Sequence, residues 1–206
     1  MNYGELREIM GVSLKEKVLR SSDIPSIDLY LDQILTLVSD KTEKNALTKT
    51  MINNYSKDGL IKPVKGKKYT KEHIVQMLII CYLKGVLSIG DIKRIFDGIY
   101  ADDSFDGEKL IDAYDRFLDI RSCESELCEI MVGHYDREDG LDISATEDFL
   151  VMLMSIVSLS DSLRRVAIEL LSARYPQKDK TSEQKSEKAD KNKEKKQKNT
   201  KEDHSE

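Results

Sequence analysis

The stretch LTKTMINNYSKDGLIKPVKGKKYTKEHIVQMLIICYLKGVLSIGDIKRIF, residues 47–96, decides the predicted fold. Its first part predicts a short helix over residues 48–57, because the Thr48 hydroxyl can accept a hydrogen bond from the first turn. Gly59 can then adopt the left-handed backbone conformation that commonly ends helices. The next residues, 62–69, combine a proline, a glycine and four lysines, and we call them the wing. Their composition predicts a turn or small hairpin with its charges in solvent.

The second half of this stretch has the apolar spacing of two further helices. Thr70 can cap the first of them and Gly85 can end it. The apolar face of that helix consists of Ile74, Met77, Leu78, Cys81 and Tyr82. Ser88, with Asp91 three residues later, can cap the second. The apolar face of the second helix consists of Ile92, Ile95, Phe96 and Ile99.

Helical periodicity also continues on both sides of this stretch. It predicts helices over residues 3–20, 26–40, 110–118 and 146–175, with Ser26 as the cap of the second and a polar turn at 136–140. The pattern of the third can be extended to Met131. Residues 177–206 have almost no apolar side chains, so they cannot bury enough surface to offset the entropy of ordering, and we expect them to be disordered. The predicted class is therefore mostly α.

The net charge of −5 is distributed unevenly along the chain. Residues 41–84 contain ten lysines against three acidic residues, whereas residues 85–176 contain nine basic and twenty acidic residues. A basic segment within an acidic protein is typical of a surface that binds a polyanion.

Several classes of protein are disfavoured by the same composition. The three cysteines have no disulfide framework, which indicates a reducing compartment and a cytoplasmic protein. The apolar runs fall well short of the roughly 20 residues that cross a bilayer, so no membrane contact is predicted. No P-loop, dinucleotide-binding glycine pattern, HExxH motif or Ser-His-Asp set is present, so neither catalytic residues nor a cofactor is predicted. Cys123 and Cys128 would point about 140° apart on a helix, and their spacing is unlike that of a metal site.

The order of helix, turn, helix, basic wing and two further helices resembles the winged helix-turn-helix domain of the MerR-type transcriptional regulators. Those proteins carry a pattern close to TIRYYExxGLL, a wing that ends in tyrosine, and a turn of the form Gly, apolar residue, Ser/Thr-Leu-x-x-Ile. The matching positions are Ile52, Tyr55, Gly59, Leu60, Tyr69, Thr70 and the segment KGVLSIGDIKRI at 84–95. The chain looks closest to an uncharacterised bacterial family of MerR-like domains that share LTKTMINNY and KKYTKEHI.

This resemblance implies a transcriptional regulator that binds double-stranded DNA as a dimer, through a recognition helix (48–57) and the wing. Small polar side chains on such a helix can reach base edges, and lysines can neutralise phosphates. The predicted DNA-binding residues are Thr48, Lys49, Thr50, Asn53, Asn54, Tyr55, Lys57, Lys62, Lys65, Lys67, Lys68 and Tyr69. Asn53 and Asn54 stand where the MerR-type pattern has Arg and Tyr. They therefore favour an alternative, a protein-interaction module that keeps the winged-helix scaffold without binding DNA.

The predicted helix over 146–175 carries apolar residues at alternating spacings of three and four, the pattern of a heptad seam. The predicted dimerisation residues are Met152, Ile156, Leu159, Leu163, Val166 and Leu170. The resemblance implies the same contact, since MerR-type proteins dimerise through a long C-terminal helix. Leu153, Val157 and other apolar positions widen the face, so an intramolecular core helix is the alternative.

The chain is thus predicted to have four regions: an N-terminal helical segment (1–25), a MerR-like winged helix-turn-helix domain (26–100), an acidic helical region for dimerisation or effector binding (101–176), and a disordered Lys/Glu-rich tail (177–206). A small-molecule or protein effector is consistent with the third region, but the sequence does not identify one.

Overall fold

The computed structural model describes residues 1–14, 18–39, 48–64, 66–138 and 140–177, and these residues are mostly helical, which confirms the predicted class. The α-helices are α1 (Tyr3–Leu14), α2 (Leu31–Ser39), α3 (Lys49–Lys57), α4 (Lys71–Leu83), α5 (Ile89–Tyr100), α6 (Gly107–Arg121), α7 (Glu124–Gly133) and α8 (Thr146–Arg174). The strands are β1 (Leu29–Tyr30) and β2 (Lys68–Tyr69), and a 3-10 turn (Ser21–Asp23) and a π-helical turn (His134–Glu138) complete the elements. Lys65 and the predicted tail, except for Gln177, lie outside the described residues.

Helix α4 is the centre of the larger hydrophobic core. Its buried side chains are His73, Ile74, Val75, Gln76, Met77, Leu78, Ile80 and Cys81, so the helix is covered on more than the single face that the sequence predicts. It is covered more fully because α2 and α3 pack on one side and α6 packs on another. The core extends along the chain from Leu19 to Leu118 and so crosses the divisions predicted at 25/26 and 100/101.

The segment before β1 docks on α6 instead of continuing the first helix. Helix α1 ends at Leu14, and residues 18–20 are not helical, so the prediction of a helix to residue 20 is wrong at its end. The Tyr114 hydroxyl donates a hydrogen bond of 2.8 Å to the buried Leu19 carbonyl, and the Ser21 N–H donates one of 3.0 Å to the Asp115 carboxylate. These long-range bonds favour an extended backbone here over a further helical turn.

Strand β1 replaces the predicted start of the second helix. The helix begins at Leu31 and not after Ser26, because Leu29 and Tyr30 pair antiparallel with β2, with Leu29 opposite Tyr69. Both Leu29 and Tyr69 are buried in the core. The pairing therefore joins the residues directly before α2 to the end of the wing.

A second, smaller cluster consists of Leu6, Val132, Tyr135, Ile143 and Met152, from α1, α7, the π-helical turn, the loop before α8 and α8 itself. The extension of the predicted helix from residue 118 to Met131 is wrong as one continuous helix, since a turn at residues 122–123 separates α6 from α7. The polar turn predicted at 136–140 is still helical up to Glu138. The long predicted helix is confirmed as α8, which leads from this cluster to α5, where Arg94 donates to Ser172 at 3.4 Å.

None of the helices in the described ranges combines the length and the apolar character that crossing a membrane requires.

Candidate nucleic-acid interface

Helix α3 is capped at both ends as its sequence predicts. The Thr48 hydroxyl accepts the Met51 N–H at 3.2 Å at the first turn. At the other end Gly59 has a φ of +66°, and the Leu60 N–H donates to the Tyr55 carbonyl at 2.8 Å. This is the bond pattern of a Schellman motif, in which a left-handed residue lets the chain turn back and satisfy the last carbonyls. Local sequence therefore fixes both ends of the proposed recognition helix.

One side of α3 packs against the core and the other carries only polar side chains. Ile52 and Tyr55 are buried. At 100° per residue, the opposite side holds a continuous arc of about 140°. The exposed residues in this arc are Lys49, Thr50, Asn53, Asn54 and Lys57. The structure thus brings five of the predicted DNA-binding residues together on one accessible face.

The two tyrosines predicted to bind DNA are core residues, which disfavours this part of the prediction. Tyr55 is 8% exposed, and burial, with a contribution from Cys81, raises the pKa of its hydroxyl. Tyr69 is 6% exposed and packs edge-on against His73, with 5.9 Å between the ring centroids. The burial of both side chains therefore disfavours their contact with phosphates.

Lys62 is also committed within the protein, contrary to its predicted role. Its Nζ lies 2.6 Å from Oε1 of Glu72 and 3.8 Å from the centroid of the Tyr100 ring. Burial and the nearby Glu72 carboxylate raise the pKa of Tyr100, so this hydroxyl stays neutral beneath the ammonium group. Lys62 therefore ties the start of the wing to α4 and α5, and it is not free to neutralise a phosphate.

The rest of the wing is a tight turn that presents two lysines to solvent. Gly66 and Lys67 both have positive φ, 61° and 63°, which reverses the chain directly before β2. Lys67 and Lys68 are exposed. A turn is therefore confirmed, but β2 pairs with β1 and not with a strand from within the described part of the wing.

The segment 30–32 connects the polar face of α3 with the wing. The Lys49 Nζ lies 3.1 Å from Oδ1 of Asp32, and the Lys68 Nζ lies 5.6 Å from the centroid of the exposed Tyr30 ring. Two residues apart in sequence, Tyr30 and Asp32 thus contact one lysine from each of the two basic elements. Lys49 of the helix face and Lys68 of the wing consequently reach neighbouring residues of one surface segment. Sequence analysis did not identify Tyr30 or Asp32.

Gln76 of α4 forms hydrogen bonds with the backbone of the segment that links α3 to the wing. Its Nε2 donates to the Leu60 carbonyl at 2.9 Å, and its Oε1 accepts the Lys62 N–H at 3.2 Å. Gln76 is 1% exposed, so these two backbone groups depend on it and not on water. A single glutamine within the apolar run IVQMLII is the signal in the sequence that could have identified it.

Residues 19–117 match a family model described as a domain of unknown function, DUF1836. No curated protein and no solved structure matches the chain. The limits of the DUF1836 match nearly coincide with those of the larger core, which runs from Leu19 to Leu118. The match therefore covers the docked N-terminal segment, α3, the wing and most of α6, but not α1, α7 or α8.

Two of the three cysteines, Cys123 and Cys128, lie outside the DUF1836 match. Cys123 is exposed before α7, and Cys128 is partly buried. Burial, with further contributions from Glu124 and Glu129, raises the pKa of the Cys128 thiol, which disfavours a reactive thiolate. The described residues contain no group of three His, Cys, Asp or Glu side chains that could hold a metal ion.

Proposed function

We propose that this protein is a non-enzymatic, cytoplasmic transcriptional regulator that binds double-stranded DNA as a homodimer through a MerR-like winged helix-turn-helix domain. The observation that carries the proposal is the polar face of α3 beside the exposed wing lysines, Lys67 and Lys68. A capped helix with one wholly polar face can enter a major groove, while an adjacent basic turn contacts the phosphates.

The exposed residues that we assign to the DNA contact lie on α3 and in the wing, and they divide into two functional groups. Thr50, Asn53 and Asn54 are short and carry donors and acceptors, and asparagine can make two hydrogen bonds to adenine. Lys57, with Lys67 and Lys68, contacts phosphates, which positions the helix without specifying sequence. The hydroxyl oxygen of Thr48 already accepts the bond that caps α3, so we assign this residue a structural role.

Dimerisation through α8 is part of this proposal, with a shorter contact than the sequence predicts. Met152 is 2% exposed and Ile156 packs beside it, so both belong to the smaller intramolecular cluster and are removed from the predicted seam. The remaining four seam residues are exposed by 47%, 60%, 54% and 65%, for Leu159, Leu163, Val166 and Leu170 respectively. Such a row of exposed apolar side chains favours association, and a dimer can read two half-sites.

The charge of the other regions supports the same orientation. Residues 85–176, which include α6, α7 and α8, carry the excess of acidic side chains, and DNA phosphates would repel them. The acidic half therefore faces away from DNA. It is also where we place the contact with a small-molecule or protein effector.

The test of this function is the salt dependence of binding to random-sequence duplexes, measured by fluorescence anisotropy. Lys57, Lys67 and Lys68 give six phosphate contacts per dimer, so log affinity should fall with log salt at a slope of roughly −5. In the variant Lys67→Ala/Lys68→Ala only two contacts remain, and the slope should become roughly −2. The control Lys109→Ala/Arg116→Ala removes the same charge from exposed positions on α6 and should keep the original slope. An equal change in both variants would contradict a specific role for the wing.

Asn53→Ala should act differently in the same assay, because a base-reading residue affects some sequences more than others. We expect salt dependence to stay unchanged, while affinity for the preferred sequence, selected from the pool, falls roughly 5- to 100-fold. Affinity for unselected duplexes should hardly change. A uniform loss across all sequences would instead assign Asn53 to the phosphate backbone.

A protein-interaction module on the winged-helix scaffold is the second candidate function. It is favoured by Tyr55, Tyr69 and Lys62, which the structure commits to packing or to internal contacts, leaving fewer groups to hold phosphates. Absence of DNA binding at low salt by the folded protein would establish this candidate. The polar face of α3 and the wing lysines would then be a surface for an acidic protein partner.

A further inference from the structure

The carboxylate of Asp32 lies beside the polar face of α3. Asp32, in the first turn of α2, forms an ion pair of 3.1 Å with Lys49, and the side chains of both residues are largely exposed, by 78% and 60% respectively. The pair therefore lies at the surface where the proposed function places DNA. In it, the ammonium group of Lys49, the first lysine of α3, is bound to a carboxylate of the same chain.

Asp32 has an ordinary structural role as well. An acidic side chain in the first turn of a helix interacts favourably with the helix dipole. Asparagine is also well accepted near helix starts, so replacement of Asp32 by asparagine removes the charge with little change in shape. Because exposed ion pairs contribute little to stability, the folded structure should persist in this variant.

The effect on DNA would be larger than the effect on folding. A phosphate that approaches Lys49 must displace the Asp32 carboxylate, or approach it closely enough to be repelled. Each outcome reduces the number of counterions that binding releases, and so reduces affinity. The other exposed lysines, Lys57, Lys67 and Lys68, form no ion pair within the described residues, so among the exposed lysines of α3 and the wing this restraint applies to Lys49.

We infer that Asp32 is an affinity-limiting residue of the DNA interface, which acts by withholding Lys49 from the phosphate backbone. This inference rests on the proposed function. It adds a residue outside the recognition helix and the wing, and it predicts that the natural sequence binds DNA more weakly than its lysines would allow.

The test is a double-mutant cycle on duplex DNA with Asp32→Asn, Lys49→Ala and the combined variant. Asp32→Asn should bind roughly three- to tenfold more tightly near 0.1 M salt, because each dimer gains two phosphate contacts. Its salt slope should become steeper by about 1.8. In the Lys49→Ala background the same substitution should leave the salt slope unchanged, because it releases no lysine to a phosphate. The control Asp112→Asn removes an exposed, arginine-paired carboxylate from α6 and should leave affinity unaltered.

The outcomes separate this inference from the function on which it rests. If the natural protein binds DNA with a strong salt dependence and Asp32→Asn binds no more tightly, the inference is overturned while the function stands. If the steeper salt slope persists in the Lys49→Ala background, Asp32 acts by general repulsion and the proposed action through Lys49 is overturned. If no variant binds DNA although circular dichroism shows them folded, both the function and the inference fail.

Discussion

Replacing Gln76 with leucine is expected to lower the free energy of unfolding by about 2–4 kcal/mol. Leucine fills a similar volume, but it can neither donate to the Leu60 carbonyl nor accept the Lys62 N–H, which lie 2.9 Å and 3.2 Å from the amide group of Gln76. Each buried backbone group left without a partner costs about 1–3 kcal/mol, and the gain from burying a more apolar side chain offsets only part of that. Urea denaturation followed by circular dichroism measures the change.

Two further variants make the result specific. Gln33→Ala also removes a glutamine that accepts a backbone N–H, from Tyr30 at 2.8 Å, but at an exposed site where water can replace it. This control should cost less than about 1 kcal/mol. Gln76→Glu keeps an acceptor for Lys62 but loses the donor to Leu60, so it should also be strongly destabilising. A loss for Gln76→Leu no larger than that of the control would show that water reaches both backbone groups.

The elements that were predictable from sequence are those whose determinants lie close together in the chain. The ends of α3 follow from Thr48 and Gly59, and the start of α5 follows from Ser88, whose hydroxyl accepts the Asp91 N–H at 3.1 Å. Helix α8 was predictable because its apolar pattern persists over eight turns. In each case the residue that fixes the structure is within a few positions of the backbone group that it satisfies.

The elements that were missed depend on partners far along the chain. Strand β1 is two residues long and exists because it pairs with β2, which lies about forty positions later. Likewise the end of the first predicted helix is overridden by the contacts of Leu19 and Ser21 with α6. No local pattern in residues 18–30 contains this information, since the competing extended conformation is stabilised only in the folded chain.

The same distinction applies to the candidate site. The exposed arc of α3 follows from helical periodicity once Ile52 is placed in the core, so its polar residues were predictable. The internal contacts of Lys62 and Tyr69 were not predictable in this way. Lys62 pairs with Glu72 and Tyr69 lies opposite Leu29, and both partners lie outside α3 and the turn that follows it.

The double substitution Leu163→Glu/Val166→Glu is expected to convert the proposed dimer to a monomer. Both side chains are more than half exposed in the single chain, by 60% and 54%, and the proposed seam would bury them against the partner. Burial of an unpaired carboxylate is costly, and two per protomer should weaken dimerisation at least about 100-fold, which corresponds to roughly 2.7 kcal/mol. Sedimentation equilibrium measures the dissociation constant. DNA affinity should fall in parallel, since each monomer would read a single half-site.

The opposite side of α8 provides a matched control for this substitution. Leu150 and Met154 are exposed by 53% and 63%, but at 100° per residue they lie roughly 120–180° around the helix from Leu163 and Val166. Leu150→Glu/Met154→Glu adds the same charge to the same helix and should leave the dimer intact. If only the control variant became monomeric, the partner would contact the Leu150 side and the heptad seam would be refuted. If the natural protein were monomeric at high concentration, the exposed row on α8 would instead have to be covered by a different protein, and binding of DNA as a homodimer would be excluded.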